Sequence, residues 1–216
     1  DGTGDLWRIA QAIIWAADPA GDPNTHDGAD VSNISFGYPE GQQLLKSLLD
    51  DCGDGITTDG TTFPEIGENQ LVIIAGSGNG GNSSPIYPAA ELEIRAGRDP
   101  KPFDGVLSVG AVTRFNQTAD FSTVVPFSTL ALAPGEDIVC AIPGGRYGVW
   151  SGTSMSAPIA SAIAALVKAR YPAALPKDIA DQLEETGIPT PPFGVDRIDA
   201  LSALTTPIQN RPQANR

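Results

Sequence analysis

Five consecutive apolar residues, Leu71-Val72-Ile73-Ile74-Ala75, run straight into Gly76-Ser77-Gly78-Asn79-Gly80-Gly81. A short strand that is apolar on both faces must be covered on both faces. The architecture that does this is a parallel sheet layered between helices. The rest of the chain fits that demand. Leu6, Ile9, Ala10, Ile13, Ile14 and Ala17 recur at helical spacing and predict a helix over 6–17. Leu44, Leu45, Leu48 and Leu49 predict a second over 42–49. Strands are predicted at 30–36, 106–112 and 137–142. Residues 154–170 read as the longest helix, stopped by Pro172, and 177–186 as another. The stretches 18–27 and 52–68, rich in Gly, Asp and Pro or Thr, read as loops. Alternation of strands and helices predicts an α/β fold with a mostly parallel sheet and helices on both faces.

Composition narrows the function. The 216 residues carry 13 Lys and Arg against 26 Asp and Glu, a net charge of −13. Nucleic acid and anionic membranes would repel such a chain, so neither is expected as a partner. No apolar run approaches the roughly 20 residues of a spanning helix. No basic segment followed by an apolar stretch opens the chain, so no signal peptide is expected within it. The two cysteines, Cys52 and Cys140, exclude a disulfide-dense scaffold and a four-cysteine zinc site. A bond between them stays open. There is one histidine, His26, so histidine-dependent chemistry must use His26 or a group outside this chain.

Ser151-Gly152-Thr153-Ser154-Met155-Ser156-Ala157-Pro158 opens the long helix. A serine at a helix N-terminus faces free N–H groups and the positive end of the dipole, which favour developing negative charge. Pro158 is expected to sit in the first turn, where its missing N–H costs nothing. The helix continues with Ala160, Ser161, Ala162, Ala164 and Ala165, small enough for close packing by neighbours. The bland reading is a Ser/Thr cap on a buried helix. Gly76, Gly78 and Gly81 formally match G-x-G-x-x-G, but Asn82-Ser83-Ser84-Pro85 is a poor helix start for a dinucleotide site. Two readings remain for Asn79: an amide presented at the carboxyl end of a parallel strand, or a plain turn.

Gly152 to Pro158 resembles the nucleophile motif of the subtilisin-like serine proteases. Asp1-Gly2-Thr3-Gly4, residues 30–37, 75–80 and 106–112, Ala133-Pro134-Gly135 and residues 194–199 resemble further segments of that family, in its order. The resemblance spans roughly residues 1–204. It implies a three-layer subtilisin-like fold lacking its N-terminal part, with 205–216 as an extended tail. It implies a serine endopeptidase in which Ser154 is the nucleophile and Asn79 the oxyanion-hole amide. Ser35-Phe36-Gly37 would form one wall of the substrate cleft and Gly2-Thr3-Gly4 the opposing edge, with a peptide or protein substrate added between them as a strand. Leu6, Ile9 and Phe36 would line an apolar pocket. Gly76-Ser77-Gly78 would form the floor of a roomy, uncharged pocket beside the scissile bond. No cofactor is required for this chemistry; structural calcium would suit the family, but no D-x-D-x-D-G loop is present. The family also implies secretion.

The pattern breaks at its start. In the family the order is Asp, His, Ser, and the Asp and His motifs precede the segment that Asp1-Gly2-Thr3-Gly4 resembles. The expected explanation is a partial catalytic domain, with both groups supplied from outside these residues, the missing N-terminal half being a partner. His26, in the polar loop Asn24-Thr25-His26-Asp27-Gly28, is expected at the end opposite the site. A competing reading is a non-catalytic relic that binds peptides without cutting them. A lipase-type hydrolase would need G-x-S-x-G, and Ser156 stands where its second glycine should be. Ile159 and Ser161 replace residues that are often His and Gly in the family, and are expected to affect packing rather than chemistry.

Overall fold

The computed structural model describes residues 5–19, 27–42, 44–45, 48–49, 71–81, 84, 86–90, 92–93, 101–102, 105–125 and 129–208. Its centre is a four-stranded parallel sheet in the order β1-β2-β5-β6, built from β1 (Val31–Ile34), β2 (Val72–Gly76), β5 (Val106–Val112) and β6 (Ala131–Pro134). A two-stranded antiparallel ladder, β3 (Leu92–Glu93) with β4 (Lys101–Pro102), lies outside this sheet.

Most of the apolar run 71–75 forms β2, with every residue of the strand buried. Its side chains alternate between two cores, as the two-residue strand period requires. Val72 and Ile74 join the core on one face; Ile73 and Ala75 join the other. Helix α1 (Leu6–Ala17) covers the second face with Ala10, Ile13 and Ala17, beside the helical Leu45, Leu48 and Leu49. It starts at Asp5, whose carboxylate accepts from the Arg8 N–H at 2.9 Å. Helices α2 (Thr153–Arg170), α3 (Pro176–Glu185) and α4 (Ala200–Thr205) cover the first face. The predicted three-layer α/β arrangement is therefore present.

Helix α2 lies over all four strands of the sheet. Ala157, Ala160, Ala164 and Val167 are fully buried along its inner face, where small side chains let the helix approach the sheet closely. Pro158 is the sixth residue of this helix, not part of its first turn. The first turn expected from the sequence would lose no hydrogen bond. In fact its nitrogen stands where the donor to the Ser154 carbonyl would be.

Two further expectations need correction. The strand predicted at 137–142 is β7 (Ile138–Ile142), and it does not extend the parallel sheet. It pairs antiparallel with β8 (Arg146–Trp150), unrecognised in the sequence because its glycines read as a loop. Gly144 and Gly145, at φ 85° and 70°, supply the left-handed backbone of the tight hairpin turn. Helix α4 was also missed; it is short, and capped by the Asp199 carboxylate on the Ser202 N–H at 2.8 Å. That bond holds the Asp199 carboxyl below the ordinary aspartate range. The loop predicted at 52–68, with Cys52, lies outside the described residues, as does His26. Cys140 is a free thiol on β7.

Candidate active site

The site forms where the carboxyl ends of β1 and β2 meet the N-terminus of α2. This is where ligand crevices of parallel sheets form, because loops diverge there and helices start there. Ser154 is the second residue of α2, so its N–H is one of the four that helix geometry leaves without an intrahelical acceptor. Its hydroxyl is half-buried and donates to the Ser35 carbonyl, just past β1, at 3.3 Å. The Ser35 hydroxyl donates in return to the Ser154 carbonyl at 3.2 Å.

Asn79 follows β2 and is exposed. Its Oδ1 accepts from the Thr153 N–H at 2.8 Å. A backbone N–H can only donate, so the facing atom is oxygen and the amide orientation is fixed. Nδ2 is left pointing over Gly152: a Cβ added there would lie 3.3 Å from it. Gly152 thus keeps open the space beside the amide donor.

Thr153 fastens a second strand end to the same turn. Its Oγ1 accepts from the Gly78 N–H at 3.1 Å. Gly78 has φ 116°, a backbone that favours glycine, and Gly76 approaches Thr153 so closely that a Cβ would sit 3.0 Å from Oγ1. The side chain of Ser77 is buried and donates to the Thr123 carbonyl at 2.6 Å. Thr123 also receives the Gly80 N–H on Oγ1 at 3.1 Å and donates its own N–H to the Gly78 carbonyl at 2.9 Å. Segment 119–125 therefore braces the loop that carries Asn79. The sequence reading missed both Thr153 and Thr123 as supports. Thr153 lay inside the motif, while Thr123 has no local signal, since its partners are more than forty residues away.

The remaining predicted site residues are distributed as follows. Ser35, Phe36 and Gly37 continue past the end of β1, with Phe36 and Gly37 exposed. Leu6 and Ile9 are half-buried and pack on the core beneath α1, whereas Phe36 is not part of that core. Gly2, Thr3 and Gly4 lie outside the described residues. Ile159 packs against the α2 core and Ser161 donates to the Ala157 carbonyl at 2.9 Å. Among the described residues no three His, Cys, Asp or Glu side chains cluster so as to hold a metal ion, so no calcium ligands are assigned. No helix among them is long and apolar enough to cross a membrane.

The sequence pattern of the subtilase family matches residues 1–210. Subtilisin NAT of Bacillus subtilis subsp. natto is 30% identical over 185 residues, covering 86% of this chain and 40% of that protein. The halolysin-like extracellular serine protease Nep of Natrialba magadii is 32% identical over 213 residues, 97% of this chain and 33% of that one. Among solved structures, the self-cleaved protease domain of PatA superposes with a TM-score of 0.68 at 26% identity, over 91% of this chain and 66% of its own. The chain thus spans only about two fifths of the length of subtilisin NAT.

Proposed function

The chain belongs to the subtilase family, and from that premise we propose that it carries the nucleophile and oxyanion donor of a serine endopeptidase. The observation that carries this reading is the joint placement of Ser154 and Asn79 at one helix N-terminus, where the N–H of Thr153, the residue before Ser154, is hydrogen-bonded to Asn79. In the proposed mechanism the Ser154 Oγ attacks a peptide carbonyl while a histidine takes its proton. The tetrahedral oxyanion lies between the Asn79 Nδ2 and the Ser154 N–H, which the positive end of the α2 dipole reinforces. The histidine then protonates the leaving amine, and water hydrolyses the acyl-enzyme.

The histidine and the aspartate that orients it come from sequence outside these 216 residues. The substrate is an extended peptide or protein segment beside Ser35, Phe36 and Gly37, with Gly76 and Gly78 at its floor. The word extracellular in the name of the Natrialba magadii relative supports a secreted setting. The test is peptide hydrolysis by the full-length protein from the native gene, with Ser154→Ala alongside. Cleavage that Ser154→Ala abolishes supports the reading. Peptide binding without cleavage in the full-length protein points to a relic of the same fold.

A further inference from the structure

Pro158 creates a vacancy in the hydrogen bonding of α2 at the residue that carries the chemistry. In an α-helix the carbonyl of residue 154 accepts from the N–H of residue 158. Proline has no N–H, and its ring presses on the carbonyl four residues back. Both effects fall on Ser154, because Pro158 lies inside α2. The Ser154 carbonyl is thereby left without its regular donor.

The donor it finds is the Ser35 hydroxyl at 3.2 Å, 119 residues away in sequence. Ser35 is itself held from behind: Asn33 Nδ2 donates to its Oγ at 3.0 Å. Alternation along β1 explains why this works. Val31 packs on the α2 core and Ile34 on the α1 core, so Asn33 and Ser35 share the α2 face. The Ser161 hydroxyl, two turns further along α2, lies 3.4 Å from Asn33 Oδ1 but gives its proton to the nearer Ala157 carbonyl at 2.9 Å. The first turn of α2 is thus tied to the end of β1 by a polar seam.

We propose that Ser35 is a positioning residue for the nucleophile, its hydroxyl replacing the helix hydrogen bond that Pro158 removes, with Asn33 orienting that hydroxyl. The seam fixes the backbone of residue 154, and with it the direction of the Ser154 Oγ and of the N–H facing the oxyanion. The kinetic part of this proposal rests on Ser154 being the nucleophile; the structural part does not.

The test is a double-mutant cycle in the full-length protein, comparing Ser35→Ala in the native background and in Pro158→Ala, which restores the missing N–H. Two quantities are read: the unfolding midpoint, and the rate at which a fluorophosphonate labels Ser154. With Pro158 present, Ser35→Ala lowers the midpoint and slows labelling by about tenfold or more, the scale expected of a small misplacement. In peptide hydrolysis the loss falls on kcat rather than KM. Ser35→Thr, which keeps the hydroxyl, restores most of the rate, and Asn33→Ala shifts both quantities in the same direction as Ser35→Ala. With Pro158→Ala, Ser35→Ala changes both quantities much less. If Ser35→Ala folds only when Pro158 is also replaced, that rescue supports the proposal. Equal effects in both backgrounds, or failure to fold in both, overturn it. A wild-type protein that is never labelled overturns the nucleophile assignment instead, and the midpoint cycle still decides the role of Ser35.

Discussion

Asn79 Oδ1 accepts the Thr153 N–H at 2.8 Å, which leaves the other half of the amide, Nδ2, for an incoming group. The bond joins the loop after β2 to the first residue of α2, and so holds Asn79, the proposed oxyanion donor, beside Ser154, the proposed nucleophile. A preorganised donor of this kind acts mainly on the transition state, where negative charge develops.

Asn79→Ala in the full-length protein is therefore expected to lower kcat with little change in KM. The loss should be about 10²–10³, a magnitude established for an oxyanion asparagine in subtilisin, a relative of this chain, and carried over from it. Steady-state kinetics on a peptide substrate check this. An unchanged kcat would remove Asn79 from the site.

Ser156 is fully buried in the first turns of α2, and its hydroxyl has no partner among the described residues. It faces Gly135, where an added Cβ would overlap it and would also lie 2.7 Å from the Ala111 Cβ. Ser156→Ala is expected to raise stability by about 1 kcal/mol, since a buried unsatisfied hydroxyl is a cost rather than a gain. Gly135→Ala is expected to destabilise by about 1–3 kcal/mol through overpacking. Urea unfolding of both variants measures these effects; a destabilising Ser156→Ala would mean that the hydroxyl has a partner.

Glu184 on α3 has its pKa raised, first by burial and then by the carboxylates of Asp181, Glu185 and Asp196, with Lys177 opposing. A raised carboxyl pKa means the fold prefers the neutral form. The stability this group contributes is present in acid, below its unfolded value, and is lost as pH rises through its folded value. Glu184→Gln, always neutral, should raise the unfolding midpoint at pH 7 and leave it unchanged at pH 3. A lower midpoint at pH 7 would show that attraction to Lys177 outweighs burial.

Among the described residues β1 is an edge strand of a parallel sheet, an element usually covered on both sides. Trp7 and Trp15 of α1 are also more than 60% exposed. The isolated 216-residue chain should therefore melt broadly and self-associate, as followed by circular dichroism and light scattering. A sharp melt of a monomer would contradict this.

Much of this architecture was legible in the chain. The extent of α1 could be read because Leu6, Ile9, Ala10 and Ile13 repeat at a helical period. β2 and β5 were clear because strands buried on both faces leave unbroken apolar runs. β6 and β8 were not, because Ala131–Pro134 is short and Arg146–Trp150 is mostly exposed and interrupted by Gly148. In the site, Ser154 and Asn79 were marked by local motifs. The reciprocal bonds between Ser35 and Ser154 and the brace at Thr123 join segments far apart in sequence, and only the fold brings them together.

The most direct measurement is fluorophosphonate labelling of the full-length gene product and of the isolated 216-residue chain, with the modified residue mapped by peptide mass. The account predicts labelling of Ser154 in the full-length protein and none in the isolated chain, where no outside histidine activates the hydroxyl. Labelling of Ser154 in the isolated chain at an ordinary serine-protease rate, or none in the full-length protein, would contradict it.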